Sequence, residues 1–403
     1  MRVDPAQRFA CSQCGRCCRG FDVVVSAAEV ELYQRRNAAN WFRGPGGDQS
    51  EPFEAMPEPG FHRIRKREDG ACGFLSDDNR CRIHEELGAA KKPLTCRLFP
   101  YSFHASGNSV IVAASFNCPT IAANEGPLTA SADSLVTLES LRQEWFARHR
   151  FTSPLMRFVH GRAIDTRSLH VLRDNWLAML DRDAEDIRDN IRRIAATIDD
   201  LTRGRVLALA DDDFQRYISL TLPHAAAKQE PPPARDPGRL ARLLQRGFLY
   251  AVVSIRADLE RRGQSRTQSR LMRLRLLAHF HGLAPGLAGV QLGALKRVRV
   301  DINDPAIRPT VSHYLRAALH ALGSTGRPIV DELAIAVSIL NAATALAAMQ
   351  ADTAGTKVDR EIVQRALVEA ADVAHARSAL LNSILTRLSA GNESLWFLAK
   401  VQH

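Results

Sequence analysis

The chain has 403 residues, of which 45% are hydrophobic and 24% charged. These are the proportions of a soluble globular protein with room for two or three domains, and they exclude a long disordered chain. The formal net charge of +10 permits contact with acidic partners. Aromatic residues make up only 6% of the chain, which argues against a base-stacking surface for single-stranded nucleic acid. The composition indicates no oligomeric state.

Cysteines are confined to the first third of the chain. Four lie in the loop Cys11–Cys18, four more follow one by one, and none comes after Cys118. No apolar leader precedes the loop, and the most apolar segment, 329–349, carries Asp331 and Glu332. That segment is therefore expected to be a buried helix with no membrane contact. We expect a cytoplasmic protein, in which reduced thiols bind metals more often than they form disulfides.

Short elements are predicted around the cysteines. Residues 21–25 indicate a strand, and the capping-box spacing of Ser26 and Glu29 predicts a helix to about Arg36. Residues 61–65 and 72–75 flank a turn at 68–70 and predict a hairpin. Residues 85–92 indicate a short helix or turn, and residues 110–114 a strand.

Beyond about residue 127 the pattern becomes helical. Apolar residues recur at helical spacing in three runs: Leu135, Leu138, Leu141 and Trp145; Leu169, Leu172, Trp176 and Leu180; Ile187, Ile191, Ile194 and Ile198. Further helices are expected at about 236–262, 265–282, 305–323, 328–350 and 358–390. The predicted fold class is α+β, with a cysteine-rich metal-binding module at 1–122, a helical region at 128–222, a proline-rich linker at 223–237 and a helical domain at 238–403.

The cysteine spacing predicts a metal centre. Cys11, Cys14 and Cys17 are three residues apart, so a turn can bring their sulfurs to one side. Cys118-Pro119 could supply the fourth ligand, because bacterial ferredoxins combine such a run with a distant Cys-Pro. Cys18, Cys72, Cys81 and Cys96 would then form a second tetrad. Cysteine-only ligation suits iron–sulfur clusters or zinc, and which sulfur serves which centre stays open.

Motifs of catalysis are absent from the sequence. It contains no Gly-x-Gly-x-x-Gly loop, no P-loop, no Gly-x-Ser-x-Gly elbow and no Cys-x3-Cys-x2-Cys run of radical enzymes. Whether the protein is an enzyme is therefore left open by its residues alone.

Four cysteine-bearing segments together resemble a known family. They are Cys11-x-x-Cys14-Gly15-x-Cys17-Cys18-x-Gly20, Cys72-Gly73-Phe74-Leu75, Cys81-Arg82-Ile83-His84 and Pro93-x-x-Cys96-Arg97-Leu98-Phe99-Pro100. Over about residues 8–120 the chain resembles the CxxCxxCC zinc- or iron-chelating domain of YkgJ-type cysteine-cluster proteins and flagellin lysine-N-methylases.

The resemblance implies a metal or [4Fe–4S] centre, with all eight cysteines as ligand candidates. It also implies lysine methylation with S-adenosylmethionine on a protein substrate such as flagellin, although no methylase active-site residue carries over. Three hypotheses follow. The preferred one is a metal-binding protein whose thiolates from Cys11 to Cys118 assemble one or two iron–sulfur or zinc centres. The others are a protein lysine N-methyltransferase and a structural zinc module carrying a helical interaction domain.

Overall fold

The structure is a computed structural model that describes residues 1–45, 51–107, 109–149, 155–182, 186–227, 230–233 and 298–375. The chain divides into two units. The cysteine unit comprises residues 8–103 and 125–151. The helical unit comprises residues 1–7, 104–124 and 152–403. The fold class is α+β, as the sequence predicts.

The elements of the described residues are numbered here in chain order. The strands are β1 (Val24–Ser26), β2 (Phe53–Ala55), β3 (Phe61–Ile64), β4 (Tyr101–Ser106), β5 (Ser109–Ala114), β6 (Arg157–Val159) and β7 (Arg162–Ala163). The helices are α1 (Arg16–Gly20), α2 (Ala27–Arg35), α3 (Arg82–Leu87), α4 (Leu94–Leu98), α5 (Pro119–Ala123), α6 (Ala132–Arg148), α7 (Thr166–Leu180), α8 (Ile187–Leu201), α9 (Gly204–Leu207), α10 (Asp211–Ala227), α11 (Arg308–His320), α12 (Ile329–Ala354) and α13 (Arg360–His375). Single 3₁₀ turns lie at Ala38–Trp41 and Ala89–Lys91.

The cysteine unit is built on a three-stranded antiparallel sheet in the order β1-β3-β2. Helix α2 follows β1 directly, and the predicted capping box is confirmed: Ser26 N–H donates to Glu29 Oε2 over 2.8 Å, and Glu29 N–H donates to Ser26 Oγ. Aromatic rings fill the core beneath the sheet. Tyr33 stacks on Phe53 with ring centroids 5.9 Å apart, and Phe42 meets Phe74 edge-on at 5.3 Å.

The hairpin predicted from residues 61–65 and 72–75 is present but short. Arg67 N–H donates to the Ala71 carbonyl over 2.8 Å, Gly73 N–H donates to the Arg65 carbonyl over 3.1 Å, and Lys66 forms an antiparallel bridge with Cys72. The pairing does not extend along β3, because both edges of that strand are occupied by β1 and β2. The turn at 68–70 is present, since Gly70 N–H donates to the Arg67 carbonyl over 2.9 Å.

The helical unit confirms the predicted periodicity. The apolar positions of α7 and α8 named above are all buried, and Trp176 donates its indole N–H to Thr197 Oγ1 over 2.8 Å. The bounds of α11 and α12 agree with the predicted ranges 305–323 and 328–350 to within four residues. Helix α13 occupies the described part of the predicted range 358–390. Residues 376–390 and the predicted helices at 236–262 and 265–282 lie outside the described residues.

Helix α12 is the one helix among the described residues that is long and apolar enough to cross a membrane. Its most apolar window is 78% buried inside the protein, as is typical of the core helix of a soluble protein. Asp331 and Glu332 are buried in its first turn. The carboxyl group of Glu332 accepts backbone N–H groups of Gly323 and Thr325, which offset part of the cost of its burial.

The predicted linker does not begin at Pro223. Helix α10 continues through this proline to Ala227. Pro223 removes only one backbone N–H near the end of the helix. The buried face of Phe214, Ile218 and Leu222 holds the helix together through that turn. Residues 234–237 of the predicted linker lie outside the described residues.

The two units also divide the chain differently from the predicted boundaries. Residues 104–122 group with the helical unit: Val112 N–H donates to the Arg2 carbonyl over 2.9 Å, and a ring nitrogen of His313 lies 2.9 Å from the Ile121 carbonyl. Helix α6, predicted as part of the helical region 128–222, groups instead with the cysteine unit, because Glu144 and Arg148 pair with side chains of α4 and α2. These contacts are between residues far apart in sequence, which periodicity cannot show.

Candidate metal centre

The first four cysteines lie on a tight loop that leads into α1. Gln13 and Gly15 both have left-handed backbone, with φ of 55° and 69°. The left-handed backbone at Gly15 favours glycine, because other residues adopt it only with strain. Cys11 and Cys14 are exposed on this loop, whereas Cys17 and Cys18 are half-buried in α1.

Cys72 and Cys81 reach the same region through backbone contacts. The N–H of Cys72 donates to the Cys18 carbonyl over 2.8 Å, which joins the second cysteine segment to α1. Cys81 caps the N-terminus of α3 and bridges to Leu75. The N–H of Arg82 donates to the Phe74 carbonyl over 2.9 Å. The segments that carry Cys72 and Cys81 therefore run side by side.

Cys96 lies in the middle of α4, a helix of five residues that begins after Pro93. The helix is held mainly from outside. Leu94 N–H donates to Glu29 Oε1 over 2.8 Å, and Thr95 Oγ1 donates to the Val24 carbonyl over 3.0 Å. These bonds fix α4 against α2 and β1 and thereby set the position of Cys96.

Five of the eight cysteines line one cavity of about 550 Å³ within the cysteine unit: Cys17, Cys18, Cys72, Cys81 and Cys96. The other walls are mostly apolar and include Phe21, Phe61 and Phe99. Helix α6 closes one side with Trp145, Arg148 and His149. The cavity thus places a set of thiols at the wall of an apolar chamber.

The thiols strongly influence one another's ionisation. The Cys18 thiol donates a hydrogen bond to Cys17, which lowers the pKa of Cys17, and the same bond raises the pKa of Cys18. Burial raises the pKa of Cys72 to about 12 and raises that of Cys96 well above its usual range. Neighbouring thiolates oppose ionisation further at both sites. The set can carry several thiolates only if a cation compensates their charge.

Lys92 supplies one such cation from the cavity wall. Burial opposes its charge, yet the neighbouring Cys96 and Cys81 raise the pKa of Lys92 above its usual value. Cys11 and Cys18 act in the same direction, so an electrostatic contact links the exposed loop to the cavity. A single ammonium cannot balance this many thiolates, which leaves room for a metal cation.

The donor set fits such a metal in its chemistry. Among the described residues no group of three or more His, Cys, Asp and Glu side chains converges as a complete metal site. The thiols share a cavity wall without meeting at one point. A donor set dominated by sulfur, in a cavity with mostly apolar walls, suits zinc or an iron–sulfur cluster and disfavours the hard cations that prefer oxygen.

Comparison with known proteins agrees with this chemistry. Residues 10–119 match the model of the family CxxCxxCC, described as "Putative zinc- or iron-chelating domain". The matched residues, called the CxxCxxCC domain below, make up about a quarter of the chain. The chain is also 24% identical over 123 residues to the "Flagellar biosynthetic protein FliU" of Salmonella muenchen. That similarity spans 28% of this chain and 64% of the relative's length. No solved structure matches the chain.

All eight predicted ligands fall inside the CxxCxxCC domain, but the structure distributes them over both units. Five line the cavity, and Cys11 is coupled to it through Lys92. Cys14 is exposed on the loop. Cys118 lies in the helical unit, where it is buried as the N-cap residue of α5 ahead of Pro119.

Several residues at the cavity of the CxxCxxCC domain are not predicted as site residues from sequence. Lys92 lies directly before Pro93, at the start of the segment that carries Cys96. This position next to a predicted ligand segment is the local signal that could have identified Lys92. Trp145 and Arg148 are spaced i and i+3 on α6, which places them on one face of that helix, and His149 is its C-cap residue. His149 stacks on Trp145 with ring centroids 3.8 Å apart, and its Nδ1 lies 3.0 Å from the Trp145 carbonyl.

Proposed function

We propose that this protein binds an iron–sulfur cluster, of the [4Fe–4S] type, through thiolates of its CxxCxxCC domain. The observation that carries the proposal is that Cys17, Cys18, Cys72, Cys81 and Cys96 all line one cavity of about 550 Å³. Cys11 and Cys14 on the adjoining loop are the remaining donors of the unit, and Cys118 stays a candidate through the family match. Seven donors in one unit leave both one centre and two centres open.

The size of the cavity favours a cluster over a single zinc ion. A structural zinc site is closed by four ligands packed around one ion and keeps no chamber beside it. Here the thiols line a wall of a much larger space, which suits a polynuclear group with a free side. The rival, a structural zinc module supporting a helical interaction domain, needs no such space.

Metal analysis of the full chain decides between the two. Protein purified without oxygen should be brown, with broad visible absorbance, and should contain iron and acid-labile sulfide in equal amounts. Zinc with no iron and no visible absorbance would contradict the cluster and leave the structural zinc module. A Cys17→Ser/Cys96→Ser variant should lose the visible absorbance, and an unchanged spectrum would also contradict the proposal.

A second candidate is protein lysine N-methylation with S-adenosylmethionine, in which the centre forms part of the active site. The similarity to a flagellar biosynthetic protein supports it, together with the apolar room beside the thiols. The substrate would be a lysine-bearing protein such as flagellin, met in the cytoplasm. Incubation of the metal-loaded chain with methyl-labelled S-adenosylmethionine and purified flagellin tests it. We expect methyl label on flagellin lysines. If the wild type transfers no more label than the Cys17→Ser/Cys96→Ser variant, the methylation candidate is refuted.

A further inference from the structure

A network of carboxylates and guanidinium groups surrounds α4, the helix that carries Cys96. We infer that Glu29 and Glu144, linked through Arg148 and joined to α4 through Leu94 and Arg97, position the Cys96 sulfur for the metal centre. The inference rests on the proposed metal-binding function and assigns positioning residues to that site.

Glu29 is the hub of this network. It lies on α2 with only 8% of its surface exposed. Its Oε1 accepts the N–H of Leu94 over 2.8 Å, two residues before Cys96. Its Oε2 accepts the N–H of Ser26 over 2.8 Å and an N–H of Arg148 over 2.9 Å. One buried carboxylate therefore joins α2, α4 and α6.

Glu144 makes the second connection, on the other side of Cys96. Its Oε1 accepts from Arg97 Nη2 over 2.7 Å and from Arg148 Nη2 over 2.6 Å. Arg97 also donates from Nε to the Lys92 carbonyl over 2.9 Å. The residues on both sides of Cys96 are thus bonded to carboxylates, and Arg148 links those carboxylates to each other.

A short helix needs such external bonds to hold a ligand in place. Five residues are too few for a helix to be stable by itself. A ligand must also be held to a fraction of an ångström for metal binding, and the groups that orient it contribute to metal affinity. The bonds from Glu29 and Glu144 end within two residues of Cys96, so they act where the sulfur is placed.

The charge state of Glu29 agrees with this role. Burial opposes ionisation of its carboxyl group, but the backbone N–H groups of Ser26 and Leu94 and the charge of Arg148 outweigh it and lower the pKa of Glu29. The carboxylate is therefore an obligate acceptor at neutral pH. A glutamine in its place keeps the size of the side chain but offers only one acceptor oxygen, so it cannot serve Leu94, Ser26 and Arg148 together.

The test compares Glu29→Gln with Glu31→Gln in the metal-loaded full chain. Glu31 lies on the same helix and pairs with Arg35 over 3.0 Å, with both side chains about two-thirds exposed (65% and 67%), so its loss should have no effect. The readouts are the rate of metal transfer to a chelator and the visible circular dichroism of the centre. Glu29→Gln should speed metal transfer by about tenfold or more and change the dichroism, as loss of a ligand-orienting group does. Unchanged transfer and dichroism would overturn the inference, even if the variant melts at a lower temperature.

Glu144→Gln serves as a second variant in case Glu29→Gln does not fold, and the same changes are expected from it. A metal-free arm separates this inference from the proposed function. N-ethylmaleimide labelling of each cysteine, followed by mass spectrometry, should show faster labelling of Cys96 and unchanged labelling of Cys14 in the Glu29→Gln variant. If the wild type holds no metal but Cys96 labelling changes, the proposed function fails and the positioning role stands. If metal is bound and Cys96 labelling is unchanged, the positioning role fails.

Discussion

Replacing Gly73 by alanine should destabilise the cysteine unit, although the change adds a single methyl group. A Cβ at this position would lie 2.0 Å from Cε2 of Phe42 and 2.6 Å from its Cδ2. The ring cannot move aside, because Phe42 is 1% exposed and packs edge-on against Phe74. The backbone is held too: Gly73 N–H donates to the Arg65 carbonyl over 3.1 Å, and its own carbonyl accepts the N–H of Arg43 over 2.9 Å.

The cost can be estimated from these contacts. Overfilling a well-packed core costs about 1–3 kcal/mol. Retreat of the backbone would weaken one of the two hydrogen bonds, which adds about 1 kcal/mol. The sum, about 2–4 kcal/mol, is a large part of the stability of an ordinary domain. Because Cys72 precedes Gly73, the same displacement should reduce the amount of metal bound.

Gly20→Ala is the matched control. Gly20 is also a glycine of the cysteine motif, but no atom lies within 4 Å of its added Cβ, so its substitution should be close to neutral. Unfolding in urea should be monitored by the chemical labelling of the Cys72 thiol, because Cys72 is buried in the cysteine unit and reports on that unit specifically. Equal urea midpoints for the Gly73→Ala and Gly20→Ala variants would refute the packing argument.

Three further predictions follow from the thiols and from one half-buried histidine. Cys72→Ser and Cys96→Ser should each lower bound metal severalfold, measured by elemental analysis, and full occupancy in both variants would remove them from the ligand set. Because burial raises the pKa of Cys72 to about 12 and that of Cys96 well above its usual range, metal binding near neutral pH should release protons. The apparent metal affinity should then rise about tenfold per pH unit for each proton released. Calorimetry in buffers of different ionisation enthalpy measures the number of protons released, and a pH-independent affinity would contradict the prediction. Burial and the charge of Arg173 lower the pKa of His320 from 6.5 to about 4, so the unfolded chain binds the extra proton between these values. The contribution of His320 to the stability of the helical unit should therefore be complete above about pH 6.5, and the free energy of unfolding should fall by roughly 3 kcal/mol towards pH 4. In the His320→Asn variant the melting temperature should depend less on pH over this range.

Local patterns in the sequence were sufficient to predict helices α2, α7 and α8. The apolar spacing of α7 and α8 works because each helix buries one continuous face. The Ser26–Glu29 capping box works because both partners lie within one turn. The choice of ligands rests on the same kind of local signal, since thiols three residues apart share one side of a turn.

What could not be predicted depends on bonds between distant segments. Cys72 reaches Cys18 through a backbone hydrogen bond whose partners are 54 residues apart in sequence, and neither residue type signals it. Glu29 is recognisable as a capping residue, but its second oxygen serves Leu94, 65 residues later. Helix α10 passes Pro223 because tertiary packing outweighs the propensity of a single residue.

The cysteine unit separates an apolar core from the segments that we propose as the holders of the metal. The aromatic core of Tyr33, Phe42 and Phe53 lies under the sheet and needs no cation. Cys17 and Cys18 instead lie on α1, Cys96 lies on α4, and Cys81 is the N-cap residue of α3. These helices have five or six residues, and their positions depend on contacts made from outside. Mutual repulsion weakens this region whenever several thiols ionise, and a bound cation reverses that effect. Metal binding should therefore act chiefly on the placement of these three short helices, against a sheet and core that are already formed.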